Sequence, residues 1–78
     1  MFCSETQLET LFKLYSQREL TEKMREAIRY HNNGGWSGAS SAARAGVSEN
    51  ALRRAIGRLR AAHNTILQGY GNYTVRDS

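Results

Sequence analysis

The stretch GASSAARAGVSENALRRAIGRLRAA, Gly38–Ala62, decides the reading of the chain. The segment Ser37–Ala45, which opens it, is built from small residues that suit a short helix packed closely on a neighbour. Ala42 supplies the small residue that a close helix crossing needs. Four residues on, Gly46 offers a left-handed turn without the penalty of a Cβ. Val47 follows as an apolar plug, and Ser48 is a good N-cap for a second helix. Leu52, Ala55, Ile56, Leu59 and Ala62 then recur at helical spacing and define an inward face, extended by Ala51 and His63. Together these features have the layout of a helix-turn-helix over residues 38–62, with its second helix at about 49–64.

A helical wheel gives the outward face. With Leu52 pointing inward and about 100° per residue, Asn50, Arg54, Gly57 and Ala61 point away from the core. Arg53 and Arg58 flank them. Arginine matches the O6 and N7 atoms of guanine and asparagine matches N6 and N7 of adenine, so this face suits a DNA major groove. Gly57 costs a helix interior roughly 1 kcal/mol relative to alanine. It stands where a bulky side chain would hold the helix away from a partner. The expected base-reading residues are Asn50, Arg53, Arg54 and Arg58. Ser41, Arg44, Ser48 and Arg60 are the expected contacts to the sugar-phosphate backbone. Glu49 reads as a partner for the helix dipole.

Outward from this stretch, helical periodicity continues to dominate. Ser4 and Gln7 form a capping-box pattern, and Leu8, Leu11, Phe12 and Tyr15 follow as one apolar stripe. A helix over about 5–17 is expected. Thr21 reads as the N-cap of a second helix at 22–32, which stops at Asn32-Asn33-Gly34-Gly35. Trp36 is expected to plug the core beneath that turn, with base stacking as its other reading. Ile66 and Leu67 are expected to fold back onto the core. The tail Gly69–Arg76 has turn residues followed by aromatic and β-branched ones. It reads as a short strand or extended segment, whose edge at 72–76 would pair two chains through Tyr70, Tyr73 and Val75.

Composition agrees with a binding module. A chain of 78 residues forms a single domain, residues 1–78, because separate cores need on the order of 100 residues each. The net charge is +4, and it is unevenly placed. In residues 1–39 five basic groups balance five acidic ones. In residues 40–78 six arginines face only Glu49 and Asp77. That asymmetry points to a polyanionic partner. Cys3 stands alone, which excludes an internal disulfide and predicts an inert thiol in a reducing cytoplasm. No apolar run approaches the roughly 20 residues of a membrane span. His31 and His63 lie on or beside apolar faces and read as structural. No nucleophile–base spacing or phosphate loop is present, so an enzyme is not expected, nor is a cofactor, metal or small-molecule ligand.

The stretch Ala43–Ala62 resembles the TrfB/KorA family of plasmid-encoded transcriptional repressors. Leu67-Gln68-Gly69-Tyr70 is similar to a Gly-Tyr that follows the recognition region there, and Ser4–Leu8 is similar more weakly. The resemblance implies an all-helical fold of four to five helices around a helix-turn-helix. It also implies a homodimer on a palindromic operator, repressing plasmid promoters. Two base-reading positions of the family fall on Arg54 and Arg58, the first commonly glutamine there. A protein-interaction module using the same arginine face is the second reading, and RNA binding a weaker third.

Overall fold

Four helices are present in a computed structural model that describes the backbone of residues 2–77 and the side chains of residues 2–69. They are α1 (Glu5–Phe12), α2 (Glu22–Asn32), α3 (Gly38–Ala45) and α4 (Glu49–Asp77), and no strand occurs among the described residues. Each helix starts on the cap that the sequence provides. Ser4 and Gln7 close the reciprocal capping box of α1 at 3.1 and 2.9 Å. Thr21 accepts from Met24 N–H, Ser37 from Ser40 N–H, and Ser48 from Ala51 N–H. These side chains satisfy backbone donors that a helix start leaves free.

The turn between α3 and α4 is the left-handed one that Gly46 promises. Its φ is 76° and its ψ 34°. The Val47 N–H reaches back to the Ala42 carbonyl at 2.9 Å, closing a Schellman-type end to α3. The inward residues of α4 then land in the core. Leu52, Ala55, Ile56 and Leu59 are buried against Leu8, Leu11, Phe12, Leu20, Ala27, Ile28 and Ala42. Val47, Ala45 and Ala62 pack at the margin of this cluster.

Four sequence expectations change. The first helix ends at Phe12 rather than near residue 17. Leu14 and Tyr15 N–H groups turn to the carbonyls three residues back, and Ser16 and Glu19 form a reciprocal cap of their own. The Arg25 guanidinium takes the carbonyls of Tyr15 at 3.0 Å and Leu20 at 2.8 Å, so two acceptors of the bend are satisfied without a helix. At the other end, α4 runs to Asp77, and helix replaces the strand expected at 72–76. A nucleated helix adds a hydrogen bond with each residue, whereas a lone strand has no ladder to join. The side chains of Tyr70, Tyr73 and Val75, expected at a dimer contact, lie outside the described residues. Because the helix continues straight on, Ile66 and Leu67 do not fold back; both are exposed. Trp36 does not plug the core either. Phe12, Leu8, Ile28, Leu52 and Leu59 already fill it, and Trp36 is 40% exposed, stacked on Tyr30.

Asn32, read from the sequence as part of a stop signal, is a buried fastener. Its Oδ1 accepts from Phe2 N–H at 2.9 Å and Cys3 N–H at 3.3 Å. Its Nδ2 donates to the Cys3 carbonyl at 2.9 Å and to Asn33 Oδ1 at 2.8 Å. Cys3 is thereby held inside, and burial pushes its thiol pKa up, which suppresses the reactive thiolate. Cation pairing secures α1 to α2. Arg29 bonds Glu9 at 2.9 Å and Glu22 at 3.2 Å, and its guanidinium lies 5.1 Å from the Phe12 ring centroid.

Two stability predictions arise. Asn32→Ala strands buried donors and an acceptor of the N-terminal segment, at about 1–3 kcal/mol for each group left unpaired. Urea unfolding is expected to show a loss of at least about 2 kcal/mol. The second concerns acid. The hydrogen bond from Arg29 holds the Glu9 carboxyl below its usual range. Its contribution is therefore full above the unfolded carboxylate range and lost as pH falls through the lowered native value. Glu9→Gln is expected to flatten the acid limb of the stability curve, read from urea midpoints between about pH 5 and pH 2.5.

Candidate nucleic-acid interface

The outward face of α4 has the composition the wheel predicts. Asn50, Arg53, Arg54, Gly57, Arg58, Arg60 and Ala61 are all exposed. Gly57 is the informative one. A Cβ built there meets nothing within 4 Å, so no internal packing demands a glycine. The residue nonetheless costs the helix stability. A bare patch of backbone in the middle of a cationic ridge is suited to close approach by a large partner.

Two open grooves flank this ridge. On one side, the α1–α2 bend and the start of α2 bring Glu19, Leu20, Thr21 and Met24 opposite Arg54 and Arg58. The Arg58 guanidinium lies 6.0 Å from the Tyr15 ring centroid. Hydrogen bonds from the Ser16 N–H and hydroxyl hold Glu19 below the usual carboxyl range, with Arg58 adding a smaller pull in the same direction. On the other side, His31 of α2 and Gly38 of α3 face Arg53, Gly57 and Arg60. The structure thus puts two expected base readers, Arg54 and Arg58, in one groove, and a third, Arg53, in the other beside Arg60, an expected backbone contact.

This face carries a net positive charge, with Arg53, Arg54, Arg58 and Arg60 against Glu49. Among the described residues, the arginine of α4 with a carboxylate in ion-pair range is Arg53, which meets Glu49 at 3.0 Å. Both groups are well exposed, so the pair is weak and readily exchanged for another anion. Glu49 also sits in the first turn, where the sequence reading placed it to balance the helix dipole. Arg60 lies over the Phe2 ring, which orients its stem while the residue stays exposed.

The expected backbone contacts divide. Ser48 is exposed at the start of α4; its Oγ accepts the capping bond and leaves the hydroxyl proton available. Arg60 is in the second groove. Arg44 is exposed on α3, but it leans on Trp36, 4.8 Å from the ring centroid, and on Tyr30, in neither groove. Ser41 is a correction. It is fully buried beneath α3, and its Oγ has no hydrogen-bond partner, so it cannot touch a phosphate. Position 41 shares the inward side of α3 with Ala42, a phase that the small-residue run obscured because nearly every residue in it is small. His63 is buried edge-on to Phe2, as a structural residue. His31 is different: it lines a groove, a position that spacing alone did not reveal.

No group of three or more His, Cys, Asp or Glu side chains gathers as a metal site among the described residues. No helix among them is long and apolar enough to cross a membrane. Comparison with protein-family models, with curated proteins and with solved structures gives no match.

If Gly57 is retained for a partner rather than for the fold, removing it should help the free protein. Gly57→Ala is expected to raise unfolding stability by about 1 kcal/mol in chemical denaturation.

Proposed function

We propose that this chain is a sequence-specific double-stranded DNA-binding protein that uses α4 as its recognition helix. The observation that carries the reading is the exposed Asn50–Arg54–Gly57–Arg58 surface, on a helix that enters from a glycine turn and contains no packing reason for its glycine. Asn50 and Arg54 lie in the first turns of α4, where a helix lodged in a major groove meets base edges. Arg58 is one turn farther on. Arg53, Arg60 and Ser48 stand at the flanks, where the phosphate strands rise on either side.

A single recognition helix covers few base pairs. Specific operators are commonly read by two such helices about 34 Å apart, one per chain of a two-fold dimer. Exposed Ile66 and Leu67, beside Thr10 and Leu11 of α1, favour a protein contact at that end of α4. In this proposal a second copy supplies it. The resemblance of Ala43–Ala62 to plasmid repressors supports the repressor form of the reading: a homodimer occupying a palindrome over a promoter and excluding polymerase. The same exposed apolar pair is what favours the second reading, a protein-interaction module.

Selection from random duplexes separates the two. The DNA reading predicts an enriched palindrome whose affinity falls with a steep salt slope. Arg54→Ala is expected to relax base preference at one position of each half-site, by about 1–3 kcal/mol of discrimination. Arg60→Ala is expected to weaken all duplexes alike and lower the salt slope by about one. Failure to enrich any sequence at micromolar protein would defeat this reading in favour of the protein-interaction module.

A further inference from the structure

The groove on the α3 side of the ridge contains a residue that neither the sequence pattern nor the recognition-helix geometry requires. Its volume is about 320 Å³, and His31, Gly38, Arg53, Gly57 and Arg60 line it together with Glu49. Two of its eight lining residues are glycines, so its walls are low there. The His31 ring is fixed rather than free. Its Nδ1 lies 2.8 Å from the Trp36 carbonyl oxygen. A carbonyl only accepts, so Nδ1 carries the proton and donates it. That assignment leaves Nε2 as the basic nitrogen, and it makes no hydrogen bond to the described residues.

We propose that this groove is a phosphate-binding site for one strand of the DNA backbone and that His31 is one of its ligands. The proposal rests on the DNA reading above and deepens it. Neutral imidazole would present a lone pair at Nε2 to a phosphate oxygen. Protonated imidazole presents an N–H donor and a positive charge. A phosphodiester beside the ring therefore favours the protonated form, and histidine is the side chain whose charge changes between about pH 5 and 8. The charged groups that share the groove are Arg53, Arg60 and Glu49, all from α4. Gly38 contributes none from α3, and the Trp36 carbonyl faces the other ring nitrogen of His31. Glu49 is occupied by Arg53 at 3.0 Å, which leaves Arg60 as the cation not engaged by a carboxylate there. A phosphate bridging Arg60 and protonated His31, across the bare backbone of Gly57, satisfies all three features at once.

The sign of the effect is fixed. If DNA binding takes up a proton at His31, affinity rises as pH falls, with a slope approaching tenfold per pH unit at the limit of one proton. The test measures dissociation constants for the selected duplex and for a random duplex of equal length. Both are followed from about pH 5.5 to pH 8.5 at constant ionic strength. The wild-type protein is expected to bind both duplexes more tightly at low pH, because a phosphate contact is blind to sequence. His31→Asn keeps a donor for the Trp36 carbonyl but lacks Nε2. It is expected to melt like the wild type and to lose the rise in affinity at low pH. A duplex with one methylphosphonate at the contacted position should flatten the wild-type profile in the same way. Strong binding without pH dependence, or an equal pH dependence in His31→Asn, overturns the groove assignment alone. Absence of DNA binding at every pH overturns the DNA reading and the groove assignment together.

Discussion

The direction in which α4 leaves α3 rests on one backbone conformation. Gly46 adopts φ 76°, and the Val47 N–H then bonds the Ala42 carbonyl. A residue with a Cβ pays roughly 1–2 kcal/mol for that conformation. Once the turn is made, Leu52, Ala55, Ile56 and Leu59 can only point into the core, and the polar positions between them can only point out. The exposed arginines are thus a geometric result of a left-handed residue several positions earlier. Changing the turn would alter the direction in which α4 leaves α3, and with it the direction of the charged face.

Charge is distributed to the same end. In the first half, Arg29 is bonded to Glu9 and Glu22, and Arg25 is bound to carbonyls of the bend. Those cations are committed to structure. On α4 and α3, arginines lean on aromatic rings instead: Arg58 on Tyr15, Arg60 on Phe2, Arg44 on Trp36. An aromatic ring orients a guanidinium without neutralising it. Arg25 and Arg29 also lie over the Phe12 ring, but oxygen acceptors bind them as well, whereas Arg44, Arg58 and Arg60 have ring contacts and no ion pair among the described residues.

How much of this was legible in the sequence depended on whether the controlling interaction was local. The α2 limits, the capping residues and the inward face of α4 rest on spacing and on caps a few residues away, and they agree with the structure. The early end of α1 depends on Arg25, ten residues beyond Tyr15, and no periodicity announces it. Asn32 looked like a turn residue because its partners, Phe2 and Cys3, are at the other end of the chain. Ser41 looked like a surface hydroxyl because an alanine- and serine-rich helix gives no contrast between faces. The ridge residues Asn50, Arg54, Gly57 and Arg58 were readable; the grooves on either side were not, because other helices form their far walls.

The Asn32 fastener also bears on the order of assembly. The α3 turn and the start of α4 are built from contacts between near neighbours in the chain. The N-terminal segment is attached across a separation of 29 to 30 residues. Closing the longer loop forfeits more chain entropy than forming the local turn. An excursion that releases residues 2–4 would uncover Cys3 while leaving the Gly46 turn in place. It would also withdraw the Phe2 ring from Arg60 and from the edge of His63, so that end of α4 feels the opening.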